Sequence, residues 1–225
     1  MPVHPQHRVV HIHIPKTAGT SIGQLFRDAG DFEWNNAHWY GQVVRKGHHV
    51  ELQHLTWREI CHQSNHEFDD FARFATVRDP YQRLISEFDW RCAVGGDDSL
   101  PRKFATFDDL VAAIPLDLEH KWHQYASVAD RWHANLLTHL RPQWHFVADV
   151  ADARDRSIDI VRFEHLSDEL NPLLERWLVG GRPDERPNRP RPLGDYFTDE
   201  SLAVVNRVYA CDFEWFGYPM HSELQ

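Results

Sequence analysis

The sequence predicts an α/β protein, a single domain over residues 1–225 with a mostly parallel central sheet flanked by helices. Three observations lead to this prediction. Short apolar runs alternate with segments of helical periodicity, which is typical of βαβ units. The chain is long enough for one sizeable core, and 42% of its residues are hydrophobic. No internal repeat or linker interrupts the alternation.

Strands are predicted where short apolar runs lie between polar turns. In chain order, these runs are residues 8–14, 49–55, 71–77, 144–147 and 157–163. Between the first two runs, residues 30–47 are predicted as a long polar connection.

Helices are predicted where apolar residues recur at every third or fourth position, as Ile22, Leu25 and Phe26 do. In chain order, they cover residues 20–29, a short segment from 56, a helix that begins at 80, then 107–114, 118–140, 166–179 and a last helix that includes 202–209.

The helix after the third strand has the clearest start signal. Asp79 can cap its N-terminus, Pro80 takes the first helical position, and Gln82 takes the capping-box position. Thr198 has the same capping role before the last helix.

The first strand runs directly into the turn Pro15-Lys16-Thr17-Ala18-Gly19-Thr20-Ser21 and then into a helix. Glycine lets the backbone approach an anion closely, and a helix N-terminus offers unpaired N–H groups and a positive dipole end. The turn is therefore predicted to hold a phosphate. It is not a Walker A loop, in which the glycines precede the lysine.

A second motif follows the third strand about sixty residues further on. It reads Arg78-Asp79-Pro80-Tyr81-Gln82-Arg83-Leu84-Ile85-Ser86-Glu87-Phe88. An arginine at a strand end can bind a terminal phosphate through two parallel hydrogen bonds.

Together, the two motifs resemble those of the sulfotransferases that use 3′-phosphoadenosine 5′-phosphosulfate (PAPS). P-K-T-A-G-T-S is similar to the 5′-phosphosulfate loop of the carbohydrate-type branch. The second motif is similar to that family's 3′-phosphate motif, R-D-P-x-x-R-x-x-S-x-Y, except that Phe88 replaces the tyrosine. Weaker likeness continues at residues 141–143, 161–166 and 209–218. The resemblance implies a P-loop-NTPase-like fold and transfer of a sulfuryl group from PAPS to a hydroxyl.

The resemblance also implies roles in the first motif. Lys16 would lie at the oxygen that bridges phosphate and sulfate, where charge develops as the bond breaks. The 5′-phosphate would be held by the backbone N–H groups of residues 17–21 and by two hydroxyls. The residues concerned are Thr17, Ala18, Gly19, Thr20 and Ser21.

In the second motif, Arg78 would bind the 3′-phosphate, and by the resemblance Ser86 would donate its hydroxyl to the same group. Arg83 lies one helical step before Ser86. It either shares this role or is structural, paired with Asp79 or another carboxylate. The loss of the tyrosine hydroxyl at Phe88 removes one secondary polar contact.

The acceptor hydroxyl needs a base. His54, at the end of the second predicted strand, fits the position of the family's base, and a histidine suits proton abstraction near neutral pH. His48, His49 and Glu51 are the alternatives, and a structural role for His54 stays open.

A segment rich in arginine and proline spans residues 180–192. It is either a stiff surface loop or a cationic lid over the nucleotide or an acidic acceptor. Arg189 and Arg191 are the best candidates for a lid, beside Arg182 and Arg186.

Composition excludes some classes of protein. A net charge of −10 argues against a nucleic-acid-binding protein. No secretory signal or membrane-spanning run is visible, so a cytoplasmic location is expected. The three cysteines, Cys61, Cys92 and Cys211, are widely spaced and predicted to be reduced. Despite 17 histidines, the spacing of a zinc site is lacking, and no metal is expected.

Some of the nine tryptophans could stack on sugars. Trp34, Trp39 and Trp90 are the candidates for this role, although packing is the more common one. The tryptophans expected in the core are Trp132, Trp177 and Trp215.

The expected reaction is PAPS-dependent sulfation of a carbohydrate, a glycolipid or a small hydroxyl compound. Two alternatives are a P-loop kinase for a nucleotide or small molecule and a non-catalytic nucleotide-binding protein. A kinase requires the Walker A order, which this chain lacks. The sequence does not determine the acceptor or the oligomeric state.

Overall fold

A computed structural model describes residues 3–30, 41–45, 48–94, 104–118, 120, 131–149, 153–183 and 189–224. Contacts divide the chain into two compact units. Unit 1 comprises Met1–Val43, Glu51–Arg78 and Gln143–Asn188, and unit 2 comprises Val44–Val50, Asp79–Pro142 and Arg189–Gln225. The prediction of a single domain stays a prediction.

Unit 1 contains a four-stranded sheet of β1 (Val3–His4), β2 (Val9–Ile12), β5 (Ala72–Val77) and β6 (Asp159–Arg162), in that order. β2, β5 and β6 are parallel, and only β1 is antiparallel to its neighbour. All four residues of β2 are buried, as expected for a strand inside a parallel sheet. The prediction of a mostly parallel sheet is confirmed, while β1 is a strand that sequence analysis missed.

Helices α1 (Gly19–Asp28) and α7 (Leu166–Arg176) share a core cluster with the parallel strands of this sheet. Their buried apolar side chains are Val9, Ile22, Leu25, Phe26, Phe74, Val161, Leu170, Leu174, Trp177 and Val179. Burial of each large aliphatic or aromatic side chain contributes roughly 1.5–3 kcal/mol. This packing fixes the N-terminus of α1 at the end of β2.

The second predicted strand does not belong to the parallel sheet. β3 (Gln42–Arg45) and β4 (His48–Glu51) pair with each other in a separate two-stranded sheet. A 3₁₀ turn (Leu52–His54) follows β4, where the prediction had continued the strand to residue 55. Central parallel strands are continuous apolar runs, and this polar segment lacks one.

Helices α2 (Trp57–Ser64) and α6 (Trp144–Val147) also belong to unit 1. Residues 144–147 were predicted as a strand, which is wrong: they form one helical turn. Periodicity cannot distinguish so short an apolar run from a buried helical segment.

Unit 2 is helical around one core cluster, which includes Tyr81, Leu137, Val205 and Phe213. Its helices are α3 (Pro80–Val94), α4 (Phe107–Ala112), α5 (Arg131–Leu140), α8 (Asp199–Val208) and α9 (Ala210–Phe216). The helix predicted over 118–140 is confirmed for Arg131–Leu140, and residues 121–130 lie outside the described part.

Asp79 caps α3 as predicted, since its carboxylate accepts the Gln82 N–H at 2.9 Å. The capping-box role predicted for Gln82 is not observed. Its side-chain amide instead bonds both backbone groups of Arg191, donating to the carbonyl at 2.9 Å and accepting the N–H at 2.8 Å. A partner 109 residues away in the chain overrides the local signal.

Candidate active site

The loop after β2 has an unusual backbone. Lys16 and Ala18 both lie in the left-handed region, at φ of 66° and 79°. Such a conformation costs on the order of 1–2 kcal/mol for a residue with a side chain. The buried Thr17 hydroxyl donates to the carbonyl of Ile14 at 2.8 Å and holds the turn. Strain retained in this way is typical of ligand-binding loops.

The N-terminus of α1 is suited to an anion. Its capping residue, Ala18, has no polar side chain, and the first turn contains no acidic residue. Helix α2 differs, since Thr56 and Glu59 form a full capping box there. The first helical hydrogen bond of α1 runs from Ile22 N–H to the Ala18 carbonyl, so the N–H groups of Gly19, Thr20 and Ser21 precede the hydrogen bonds of the helix and can face a ligand. The loop therefore fits a phosphate group.

The hydroxyl side chains of the loop differ in their roles. Thr20 is exposed and Ser21 half-buried, so both are accessible to a ligand. The Thr17 hydroxyl is committed to the turn, which leaves its backbone N–H for the role predicted from the sequence.

Gly19 is required by a histidine. A Cβ atom at this position would lie 1.7 Å from Nε2 of His13 and 2.1 Å from its Cδ2, far inside any real contact. The imidazole of His13 therefore lies directly against the first residue of α1. From the sequence, Gly19 was predicted to let the backbone approach an anion, and the contact with His13 is a second reason for a glycine.

His54 lies in the 3₁₀ turn after β4 and is 7% exposed. Its Nδ1 lies 3.0 Å from the carbonyl oxygen of His13. A carbonyl can only accept, so Nδ1 carries the proton of neutral His54 and Nε2 carries the lone pair. This is the tautomer of a general base that acts through Nε2.

The other candidates for the general base differ from one another in burial. His49 is half-buried, Glu51 is buried, and the side chain of His48 lies outside the described part.

Arg78 brings the two sequence motifs together within unit 1. β2 and β5 are parallel neighbours, so the loop after one strand lies beside the end of the other. One guanidinium nitrogen of Arg78 lies 3.4 Å from the Lys16 carbonyl oxygen, and the guanidinium carbon lies 4.3 Å from the ring centre of Phe163. A cation is thus held next to the loop that was predicted to hold a phosphate.

In unit 2, Ser86 is half-buried on α3, and Arg83, on the same helix, is 1% exposed. Arg83 donates to the backbone carbonyls of His139 at 3.0 Å and Arg141 at 2.9 Å. Of the two roles left open for Arg83, these contacts favour the structural one, with carbonyls as partners instead of a carboxylate.

A buried carboxylate on α3 escaped sequence analysis. Glu87 accepts from Arg91 Nε at 2.6 Å and bonds Nδ1 of His139 at 2.8 Å. The Trp90 ring, one of those proposed for sugar stacking, is itself stacked on His139, with centroids 5.3 Å apart. The spacing of Glu87 and Arg91, i to i+4 on one helix, was a usable signal for the ion pair.

The arginines predicted as a lid lie in unit 2 at residues 189–191, and both side chains are exposed. The Arg191 guanidinium donates to the Tyr196 hydroxyl at 2.7 Å and pairs with Asp89 at 3.1 Å. Arg182 is exposed, and residue 186 lies outside the described part.

The remaining tryptophan predictions have mixed outcomes. Trp177 is buried in the core of unit 1, as predicted, whereas Trp215 is only half-buried. Trp34, Trp39 and the Trp132 side chain lie outside the described part.

Cys61, Cys92 and Cys211 are free cysteines, as predicted. Burial, followed by the nearby Asp69 carboxylate, raises the pKa of the Cys61 thiol to about 12.

Potential metal-ligand atoms of Cys61, His66 and Asp69 lie within 4.8 Å of one another in unit 1. His66 and Asp69 are exposed and already pair with each other, and none of the three belongs to either motif.

Among the described residues, no helix has the length and apolar character that crossing a membrane requires.

In comparisons with known proteins, the model of a family described as "Sulfotransferase family" matches residues 1–219. No curated protein and no solved structure matches the chain.

Proposed function

Because the chain belongs to the sulfotransferase family, we propose that it moves the sulfuryl group of PAPS to a hydroxyl of a carbohydrate or related acceptor. The observation that carries this proposal is the approach of Arg78 to the Lys16 carbonyl at 3.4 Å. It supports a shared site for two anionic ends of one donor, in which the loop takes the 5′-phosphate and Arg78 the 3′-phosphate.

Lys16 stabilises the leaving group. The acceptor oxygen forms a bond to sulfur as the bond from sulfur to the bridging oxygen breaks, and that electron pair stays on the 5′-phosphate. A lysine charge at the loop offsets this developing negative charge. The loss of one such group typically costs about 10²–10³ in rate. The N–H groups at the start of α1 add a fixed positive potential, and the capping residue Ala18 has no polar side chain to offset it.

His54 accepts the proton of the acceptor hydroxyl. The bond from Nδ1 to the His13 carbonyl supports Nε2 as the accepting atom. General base catalysis of this kind contributes about 10²–10⁴ in rate.

We also propose that PAPS contacts Ser86, Arg189 and Arg191, which all belong to unit 2. These roles rest on the family resemblance and on the basic composition of residues 180–192. The proposal names the acceptor only by its hydroxyl group, because carbohydrates, glycolipids and small alcohols all supply the required oxygen. A cytoplasmic location likewise stays a prediction from the sequence.

A calorimetric titration tests the proposal. We expect adenosine 3′,5′-bisphosphate, the product left by the donor, to bind without Mg²⁺ and more tightly than ATP with Mg²⁺. The reverse preference would instead support the kinase alternative. Binding of the bisphosphate without transfer of radiolabelled sulfate to any glycan, glycolipid or alcohol would support a non-catalytic nucleotide-binding protein.

Two variants separate binding from chemistry. We expect Lys16→Ala to lower turnover about 10²–10³-fold and His54→Ala to lower it about 10²–10⁴-fold while product binding is retained. Gln24→Ala, at an exposed position of α1, is the matched control. Unchanged turnover in His54→Ala would move the base to another residue.

A further inference from the structure

His13 connects the two halves of the proposed chemistry. It lies between β2 and the anion-binding loop, and its side chain is half-buried. Its backbone carbonyl accepts the Nδ1 proton of His54, and its ring centre lies 4.5 Å from that of His54. Its imidazole edge also lies against Gly19, where the phosphate-binding helix begins.

From these contacts we infer that His13 is a positioning residue whose ring sets the place of the His54 ring relative to the donor-binding loop. This inference rests on the proposed function. The carbonyl bond alone fixes which nitrogen of His54 carries the proton. The rotation of the His54 ring about that bond is limited by the neighbouring ring of His13.

The contact with Gly19 gives His13 a fixed reference point. Three ring atoms of His13 lie within 2.4 Å of where a Cβ of Gly19 would be, so the ring has no room to move toward α1. The His11 ring lies 5.5 Å from the His13 ring and itself stacks on Phe74. The His13 imidazole therefore contacts a ring of the sheet, the start of α1 and the ring of His54.

Loss of the His13 ring should lower turnover more than it weakens binding of the donor product. Displacing a catalytic group by about 1 Å can cost on the order of 10² in rate. The N–H groups of α1 and the carbonyl of residue 13 belong to the backbone, and they remain when the side chain is shortened. The ring of His13 thus affects turnover while the donor product still binds.

Kinetics of His13→Ala test the inference. We expect kcat to fall about 10- to 100-fold, with the KM for PAPS and the dissociation constant of adenosine 3′,5′-bisphosphate within about threefold of wild type. His13→Gln, which keeps a planar polar side chain, should recover part of the loss and provides a second variant should His13→Ala fold poorly. His62→Ala, an exposed histidine on α2, is the control.

A double-mutant cycle isolates the contact with Gly19. Gly19→Ala alone should lower the free energy of unfolding, because its Cβ meets the His13 ring. In a His13→Ala background the same substitution should have little further effect on folding.

Turnover of His13→Ala within twofold of wild type, or additive effects in the cycle, would overturn the inference. Failure of the wild-type protein to bind the bisphosphate would instead count against the proposed function itself.

Discussion

Gln143 holds the backbone of Arg78 through two hydrogen bonds. The Arg78 N–H donates to Oε1 of Gln143 at 2.9 Å, and Nε2 of Gln143 donates to the Arg78 carbonyl at 2.8 Å. The Gln143 side chain is buried at the start of α6. An amide paired in this way continues the hydrogen bonding of β5 beyond its last residue and fixes the position from which the arginine side chain starts.

Gln143→Ala should therefore loosen Arg78. Each backbone group left unsatisfied costs about 1–3 kcal/mol, so we expect a lower free energy of unfolding in urea. We also expect adenosine 3′,5′-bisphosphate to bind about tenfold more weakly, or about 1.4 kcal/mol. Gln24→Ala, whose exposed amide donates to Asp28, is the control. Unchanged product affinity would show that Arg78 does not depend on this amide.

The two arginines of the second motif should have different roles, Arg83 in stability and Arg78 in binding. Arg83→Met removes the donor to two buried carbonyls and should lower the free energy of unfolding by about 2–5 kcal/mol. Arg78→Met, at a partly exposed site, should leave stability nearly unchanged and weaken bisphosphate binding about 10- to 100-fold, as expected for a charge-assisted bond.

Urea unfolding and calorimetry on both variants make the comparison. A binding defect in Arg83→Met without loss of stability would contradict the structural role of Arg83. Arg83→Lys, which can reach one carbonyl at a time, should be intermediate in stability.

Two glycines of α1 form a matched pair. A Cβ at Gly19 meets the His13 ring, whereas a Cβ at Gly23 meets no atom of the described residues within 4 Å. Because alanine is the better helix former, Gly23→Ala should raise the free energy of unfolding by about 0.5–1 kcal/mol. Gly19→Ala should lower it and reduce turnover. Equal melting temperatures for the two variants would show that His13 moves aside at little cost.

Acid sensitivity should depend on His11. This side chain is 1% exposed, and burial, followed by nearby His4, lowers its pKa well below 6.5. The unfolded chain then binds a proton that the folded protein does not, so stability is present at neutral pH and falls as pH drops below about 6.5. The loss is about 1.4 kcal/mol per pH unit.

His11→Phe should remove this part of the acid sensitivity while keeping the stacking on Phe74. Urea unfolding of both proteins at pH 7.5 and 5.5 provides the measurement. The wild type should lose about 1.4 kcal/mol more than the variant between the two values. Parallel losses would mean that folded His11 takes up a proton in this range.

Thiol reactivity should distinguish the cysteines. Cys92 is exposed, whereas Cys61 is buried with a pKa of about 12 and is almost wholly protonated at pH 8. An aromatic disulfide reagent should react rapidly with Cys92 and with Cys61 only after unfolding. Cys92→Ser should remove the fast phase, and Cys61→Ser should leave it unchanged. A fast phase that depends on Cys61 would indicate local opening of α2.

Much of the fold followed from local patterns. The parallel strands, the caps at Asp79 and Thr198 and the helix after the phosphate loop depend on apolar periodicity and on residues close in the chain. The misassigned elements were short or polar. Residues 144–147 are too few to show a period, and β4 pairs with a neighbouring strand instead of the main sheet.

The sequence by itself determined the family, and it predicted a phosphate loop with Lys16 and a phosphate-binding Arg78, because these are properties of contiguous motifs. Only the tertiary structure decided that Arg78 meets Lys16, that His13 lies against Gly19 and accepts a hydrogen bond from His54, and that Gln82 bonds Arg191. These partners lie far apart in the chain, apart from His13 and Gly19. Their contacts depend on strand order and packing, which no local pattern encodes.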